Sequence, residues 1–510
     1  MKKTGKITFI IFMIAVASST VFAKPVNQNM ALGDLRKPFN TMATTSRPLR
    51  DNHYLTPGGH FIIHYDNSGY DAVPQDFTFN DTIPDFVIKA GEYLDESFST
   101  LHDSLGYDTP PQDDIESPEI DVYFKFDLSY YGVTYPETNL GNNEYTSYLT
   151  LSTQLEDSTV FYTYGLEGLR VTCAHELFHI FQLGYRYRSV DIFYFEMSSV
   201  WFEEYMYPEV NDYHSYVNAY ASNWNYKLDN SLLDYNNAGF NFYIDKRFSV
   251  KGNNIIHRIW NRILTVDAMS AIRNELQSRG ITFEEALSGW GCAQVLCGTY
   301  TDVNFQYGFN DAAQLDPISF DNNTDHILAS AGTDITLSKN PATSYYKITG
   351  IPNSVLLFES LFDDGAYVNL VCLNADQSKV RSVGSKPLVI DGTLFDEYIL
   401  VIGTDAEDVS GAYAFTSLTK DQISVLYPNP LLTNRPLNLS YVLLDDKSQG
   451  NLSVYDVSGK LVYDRALSAD LNTQGLHDLS FVPQELSSGV YFIALRFDDN
   501  IIVEKFTYLR

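Results

Sequence analysis

The stretch Leu166-Glu-Gly-Leu-Arg-Val-Thr-Cys-Ala-His-Glu-Leu-Phe-His-Ile-Phe-Gln-Leu-Gly184 constrains this chain most. Apolar residues occupy most of its circumference, which marks a helix buried on several sides. The polar residues Thr172, His175, Glu176, His179 and Gln182 recur at three- and four-residue steps and form one stripe. Two imidazoles and a carboxylate buried without partners would cost several kcal/mol. A metal ion removes that cost. Histidines four apart project from consecutive turns and can chelate one Zn²⁺, with Glu176 beside them as general base toward a water.

A catalytic zinc takes three protein ligands and keeps one position open. His179 is not followed by the Gly and third His of the metzincin pattern, so the third ligand is expected on the next helix. Phe193 to Tyr205 reads as that helix and stops before Pro208. Glu196, Ser199 and Glu203 share one face of it, seven residues being close to two turns. Glu196 is the expected third ligand, and Glu203 is placed to brace a ligand imidazole from behind.

The rest of the chain frames this motif. At 510 residues it has room for about three domains. Met1 to Ala23 has a charged start, an apolar run and a small-residue cleavage site, the pattern of a removed signal peptide. The apolar run falls short of the roughly 20 residues that span a bilayer, and no later segment reaches that length. Residues 24–50 form an N-terminal segment whose removal as a pro-segment the sequence leaves open. Residues 51–315 read as an α+β lobe with strands at His60–Tyr65, Ile120–Phe126 and Tyr145–Ser152, followed from about Gly165 by a helical lobe. The last of those strands is a candidate edge for an extended peptide to pair with. Short alternating runs then suggest a β-sandwich over 316–420 and a second small β-domain over 421–510. The expected fold class is therefore α+β multidomain, a zincin-like metallopeptidase domain followed by two small all-β sandwiches.

The formal net charge of -30 argues against a nucleic-acid partner. Calcium is a second candidate cofactor, in acidic loops such as Asp113-Asp114. Four cysteines in so long a chain make no disulfide scaffold; Cys173 reads as a core residue, and pairing of Cys292 with Cys297 stays open.

The motif and the later glutamate resemble the gluzincin metallopeptidases. Glu196 to Glu203 is similar to the Glu-Gly-x-Ala-x-x-x-Glu segment of the zinc aminopeptidase family, with Met197 and Ser199 in place of Gly and Ala. Tyr235-Asn-Asn-Ala-Gly-Phe-Asn-Phe-Tyr-Ile244 is similar to the segment that supplies an oxyanion-stabilising tyrosine there, and the resemblance implies that role for Tyr235. The Gly-x-Met-Glu-Asn segment that holds a substrate amino group is not present, which leaves an endopeptidase acting on polypeptides as the expected activity. His60 to Trp260 also resembles a group of secreted bacterial metallopeptidase-like proteins with His-Glu-x-Phe-His-x-x-Gln in the active helix.

Four landmarks near the end, Tyr427-Pro-Asn-Pro430, Val454 to Val462, Ser488 to Ile493 and Lys505, resemble the type A sorting domain of the type IX secretion system. That implies a Bacteroidetes-type host and the type IX machinery as a partner, with export through the periplasm and across the outer membrane to the surface or medium. The rival reading is a surface adhesin or glycan-binding protein with a vestigial metal site, and a hydrolase of a non-peptide bond is also open.

Overall fold

The computed structural model describes residues 30–31 and 47–510, apart from 114, 116–117, 225, 232–233, 302–307, 321–325, 329–332, 338, 375–377, 383–387, 433–434 and 483–485. The signal-peptide stretch and most of residues 24–50 lie outside the described residues, as does Asp114. The molecule mixes helices with several β-sheets, strung along the chain.

The first sheet has six strands: β1 (Met30–Ala31), β2 (Asn52–Leu55), β3 (Phe61–Tyr65), β4 (Ile120–Lys125), β5 (Gly132–Gly141) and β6 (Glu144–Ser152), in the order β1-β5-β6-β4-β3-β2. The strands β3, β4 and β6 run parallel, while β5 is antiparallel to β6. Asn142 and Asn143, at φ 54° and 64°, close the β5–β6 hairpin, a conformation that Asn tolerates better than other side chains. In β3 the alternation is strict: Phe61, Ile63 and Tyr65 are buried, with Ile62 and His64 only partly so.

This arrangement corrects one expectation. The run Tyr145–Ser152 is an inner strand of the sheet, paired with β5 as far as Leu151 and with β4 over Leu149–Ser152, so it is not the edge strand. The strand toward the edge is β5, whose free side is met, among the described residues, by the two residues of β1, parallel to Gly132 and Val133.

Helix α1 (Asp85–Ser99) buries Phe86, Val87, Ala90, Leu94 and Phe98, one face at helical spacing, against the sheet and α2 (Gly165–Tyr185). Helix α2 is covered from Val171 to Leu183 on all sides, as its nearly continuous apolar surface requires. Next come α3 (Ile192–Met206), α4 (His214–Ser222), α5 (Ala238–Phe248), α6 (Ile255–Ile263), α7 (Ala268–Ser278) and α8 (Phe283–Val295). Cys292 in α8 and Cys297 beyond it remain separate buried thiols; the Cys297 sulfur is engaged by the Ala293 carbonyl at 3.3 Å, and burial pushes that thiol up to about 12.

Beyond α8 stands a sandwich of a four-stranded and a five-stranded sheet. Two strands of the latter, Ala366–Leu373 and Glu397–Thr404, are buried on both faces. Leu370, Cys372, Leu400 and Ile402 fill the sandwich, while Val371, Leu373, Ile399 and Val401 join the helical core together with Tyr345. Continuous apolar runs such as Tyr398-Ile-Leu-Val-Ile402 follow from that double burial. Contact is close enough that a Cβ on Gly403 would stand 2.2 Å from the Glu284 carbonyl oxygen of α8. The last unit pairs a three-stranded with a five-stranded sheet around Leu439, Tyr441, Val454, Ile493, Leu495 and Phe506.

Candidate metal centre

Helix α2 delivers His175, Glu176 and His179 fully buried, and α3 crosses it to deliver Glu196, also fully buried. The two Nε2 atoms stand 3.0 Å apart, and Glu196 Oε2 lies 3.3 Å from His175 Nε2 and 3.4 Å from His179 Nε2. One ligand atom from each of the three residues lies within 4.8 Å of the others.

The far side of each imidazole decides its tautomer. His175 Nδ1 faces Glu203 Oε1 at 2.5 Å, and a carboxylate can only accept from it. His179 Nδ1 faces Gln182 Oε1 at 2.7 Å; the Gln182 amide nitrogen meanwhile donates to the Phe195 carbonyl at 3.1 Å and to Ser199 Oγ at 3.2 Å, which fixes its orientation. Both rings therefore hold their proton on Nδ1, and both Nε2 lone pairs point inward. Two lone pairs and a carboxylate oxygen converging on one point repel one another unless a cation sits among them. The donor set, two imidazoles and one carboxylate, is that of a catalytic zinc site. His175, His179 and Glu196 are thus the residues that could hold a metal, with Glu203, Gln182 and Ser199 fixing the rings from outside.

Glu176 projects from the same helix. Thr134 Oγ1, on β5, donates to its Oε2 at 2.7 Å and to its backbone carbonyl at 3.0 Å, while Oε1 is buried and has no hydrogen-bond partner among the described residues. Burial lifts the carboxyl well above the usual range and the nearby charge of Glu196 adds to this, against the Thr134 hydrogen bond. Burial likewise raises Glu203, helped by Asp212, Glu176 and Glu196.

Tyr235 opens the turn before α5, where Asp234 Oδ1 accepts from its backbone N–H at 3.0 Å. Its ring stacks on His175 at 5.8 Å and 8°, with Tyr216 packed against it at 5.1 Å. The residues singled out in the sequence are therefore gathered at one place. Calcium finds less support at Asp113, whose carboxylate receives Arg47 at 2.5 Å and the Ile115 amide at 2.9 Å.

Sequence reasoning missed β5, and with it Thr134 and Gly132. Gly132 passes so close to α2 that a Cβ there would lie 2.7 Å from Glu176 Cγ, 2.9 Å from Thr172 Cγ2 and 3.0 Å from the Thr150 carbonyl oxygen. The signal that could have found this strand is the turn Gly141-Asn-Asn143 just ahead of β6, which asks for a partner strand before it.

Comparison with known proteins informs the end of the chain. Residues 425–508 match the secretion system C-terminal sorting domain. The protein is accordingly exported by type IX secretion to the cell surface or the medium. Among the described residues no helix is long and apolar enough to cross a membrane. No curated protein matches the chain. Among solved structures, CopC from Methylosinus trichosporium OB3b is 18% identical over 17% of this chain and 90% of its own, with a TM-score of 0.14. The β-glucuronidase of Bifidobacterium dentium is 11% identical over 32% of this chain and 38% of its own, with a TM-score of 0.17. A GH2 β-galacturonidase from Eisenbergiella tayi is 10% identical over 35% and 43%, with a TM-score of 0.18. This chain thus spans less than half of either glycosidase, and likenesses at these scores say nothing about its activity.

Proposed function

We propose that this chain is a secreted zinc-dependent endopeptidase, with His175, His179 and Glu196 as ligands and Glu176 as general base. The observation that carries the reading is the convergence of two Nε2 lone pairs and Glu196 Oε2 beside a second, differently held carboxyl. Zinc bound there would supply Lewis acidity, acidifying a water and polarising a carbonyl. Glu176, anchored through one oxygen by Thr134, has its other oxygen to take the proton of that water and pass it to the amine nitrogen as the peptide C–N bond breaks. Tyr235, against His175, is placed to donate its hydroxyl proton to the charge developing on the carbonyl oxygen.

A polypeptide substrate is supported by β5. Its backbone touches Glu176 at Gly132, and the pairing of Met30–Ala31 there means that an extended main chain fits beside the base. The sheet order, with β5 antiparallel to β6 beside the helix of the motif, also suits a zincin-like domain.

The test is cleavage of a quenched casein substrate by the mature protein, with zinc quantified in the same sample. Zinc near one per chain with chelator-sensitive cleavage is expected. A chain that binds zinc without cleaving any peptide substrate would redirect the reading to a non-peptide bond, and one that binds none would favour the binding-protein alternative.

A further inference from the structure

The N-terminal part of the chain meets β5 twice. Met30–Ala31 pairs in parallel with Gly132 and Val133 and comes against α2 as well. Gly132 is the residue whose missing Cβ lets β5 touch Glu176. Paired strands run about 4.8 Å apart, so the main chain of Met30–Ala31 lies one strand spacing from the point where β5 meets that carboxyl. Farther along, Arg47 is fastened to the same strand: it donates to both oxygens of Glu137, at 2.8 and 2.5 Å. Arg47 also pairs with Asp113 at 2.5 Å and with Asp121, and its guanidinium lies 5.5 Å from the centre of the Tyr148 ring.

The two attachments differ in strength. The Arg47 side chain is only 9% exposed among three carboxylates, and a buried, bidentate guanidinium is hard to release. Two residues of parallel pairing are weak by comparison. Nor does the connection force them onto the strand. Val133 and Glu137 stand about 13 Å apart along β5, whereas the chain from Ala31 to Arg47 can span roughly 50 Å. The pairing is therefore a preference of the segment itself. Charge favours it: Lys24, Arg36, Lys37, Arg47 and Arg50 stand against a single acidic residue, Asp34, in a stretch belonging to a chain of net charge -30.

We propose that this segment is a self-inhibitory strap. Met30–Ala31 fills the main-chain slot on β5 beside Glu176, Arg47 holds the strap to the body, and hydrolysis of one peptide bond between the two by an external protease, leaving a carboxylate and an amine, opens the slot to substrate. This rests on the endopeptidase reading for what the slot is for, and adds how that site is regulated. A tethered segment competes at an effective concentration of the order of millimolar. A strap that binds as a free peptide with a Kd of ~0.1 mM then covers the slot in about ten chains of eleven, and loses its hold once cut and diluted. Weak pairing is what such a device needs, because a strand that paired tightly would stay in place after scission.

The experiment uses the mature, zinc-loaded chain with a recognition sequence for a site-specific protease inserted between Met42 and Ala43, folded first and cut afterwards. Casein cleavage is followed before and after the cut, and a fluorescent peptide of residues 24–46 is titrated into the cut chain freed of its fragment. Cutting should raise kcat/KM about tenfold. The peptide should bind saturably and restore inhibition by raising KM with kcat unchanged. The same peptide carrying Met30→Pro and Ala31→Pro, which cannot donate a ladder hydrogen bond, should do neither. An unchanged or lower kcat/KM after the cut would make Met30–Ala31 a structural strand and overturn the strap while leaving the endopeptidase standing. Were neither form to cleave casein, the endopeptidase reading would fall and peptide binding alone would decide the strap: saturable binding that the proline peptide lacks supports it, and no such binding overturns it.

Discussion

Gly132 and Glu176 touch: the Cα of the one lies against the side chain of the other with no room for a methyl group, and the opposing backbone at Thr150 cannot yield. Gly132→Ala should therefore push Glu176 off its Thr134 anchor and strain the sheet. Overpacking of this kind costs about 1–3 kcal/mol. The expected result is a lowered melting temperature and reduced turnover with zinc still bound; an alanine variant with unchanged kcat would mean that Glu176 does not depend on this contact.

Removing the base alone should separate binding from chemistry. Glu176→Gln keeps the shape and can still accept from Thr134 Oγ1, so zinc content should stay near that of the parent. Turnover should fall by about 10²–10⁴-fold, the usual contribution of a positioned base. Undiminished cleavage would remove Glu176 from the mechanism.

Glu203 touches His175 Nδ1 and, on the proposed function, should act through that ring. In Glu203→Ala the Nδ1 proton loses its acceptor and the ring its orientation. Zinc affinity should drop by about 10–100-fold, measured by competition with a chromophoric chelator. Saturating zinc should restore most of the activity, which a direct catalytic role would not allow.

Tyr235→Phe leaves the ring stacked on His175 and removes only the hydroxyl. An oxyanion donor is typically worth about 10²–10³-fold in kcat. The loss should fall on kcat with KM little changed. Should kcat survive, the tyrosine is packing alone.

A pH effect is expected far from this centre. Burial works against the charge of Asp421, yet the Leu444 amide at 2.8 Å, Lys447 at 3.0 Å and Asn500 at 2.9 Å outweigh it and hold the carboxyl below the ordinary range. A carboxyl lowered on folding contributes stability above its unfolded value, about 3.9, and loses it as pH falls through the folded value. Asp421→Asn should destabilise the C-terminal unit at pH 7, and the gap between the two melting curves should close below about pH 4.

The cluster of His175, His179 and Glu196 was legible because these residues sit on helices. A stripe of His, Glu and Gln on an apolar helix has few explanations, and Glu196 and Glu203 fall on one face by the arithmetic of 3.6 residues per turn. The contributions of β5 were not legible, since Thr134 and Gly132 act across a gap of some forty residues and look ordinary in their own neighbourhood. For the same reason the alternation of Tyr145–Ser152 does not reveal its place in the sheet; which strand lies outermost is a property of pairing, and β5 covers it. The sandwich after α8 was readable as β structure from its runs and turns. That one of its sheets shares a core with the helices was written in the double burial of Val371 and Val401, which a period of two conceals.

That shared core makes the sandwich a load-sharing wall of the helical lobe. Tyr220 and Tyr345 meet through their hydroxyls at 3.1 Å, and Ser288 of α8 donates to the Val401 carbonyl at 3.0 Å while receiving Asn369 at 2.8 Å. A chain cut at residue 315 would lay bare the flank of α8 to water, an oily surface that favours clumping over folding. The helices and the sandwich should instead melt in one calorimetric peak, so that whatever the sandwich contributes outside the cell, a tug on it is felt at the helices that hold His175 and Glu196.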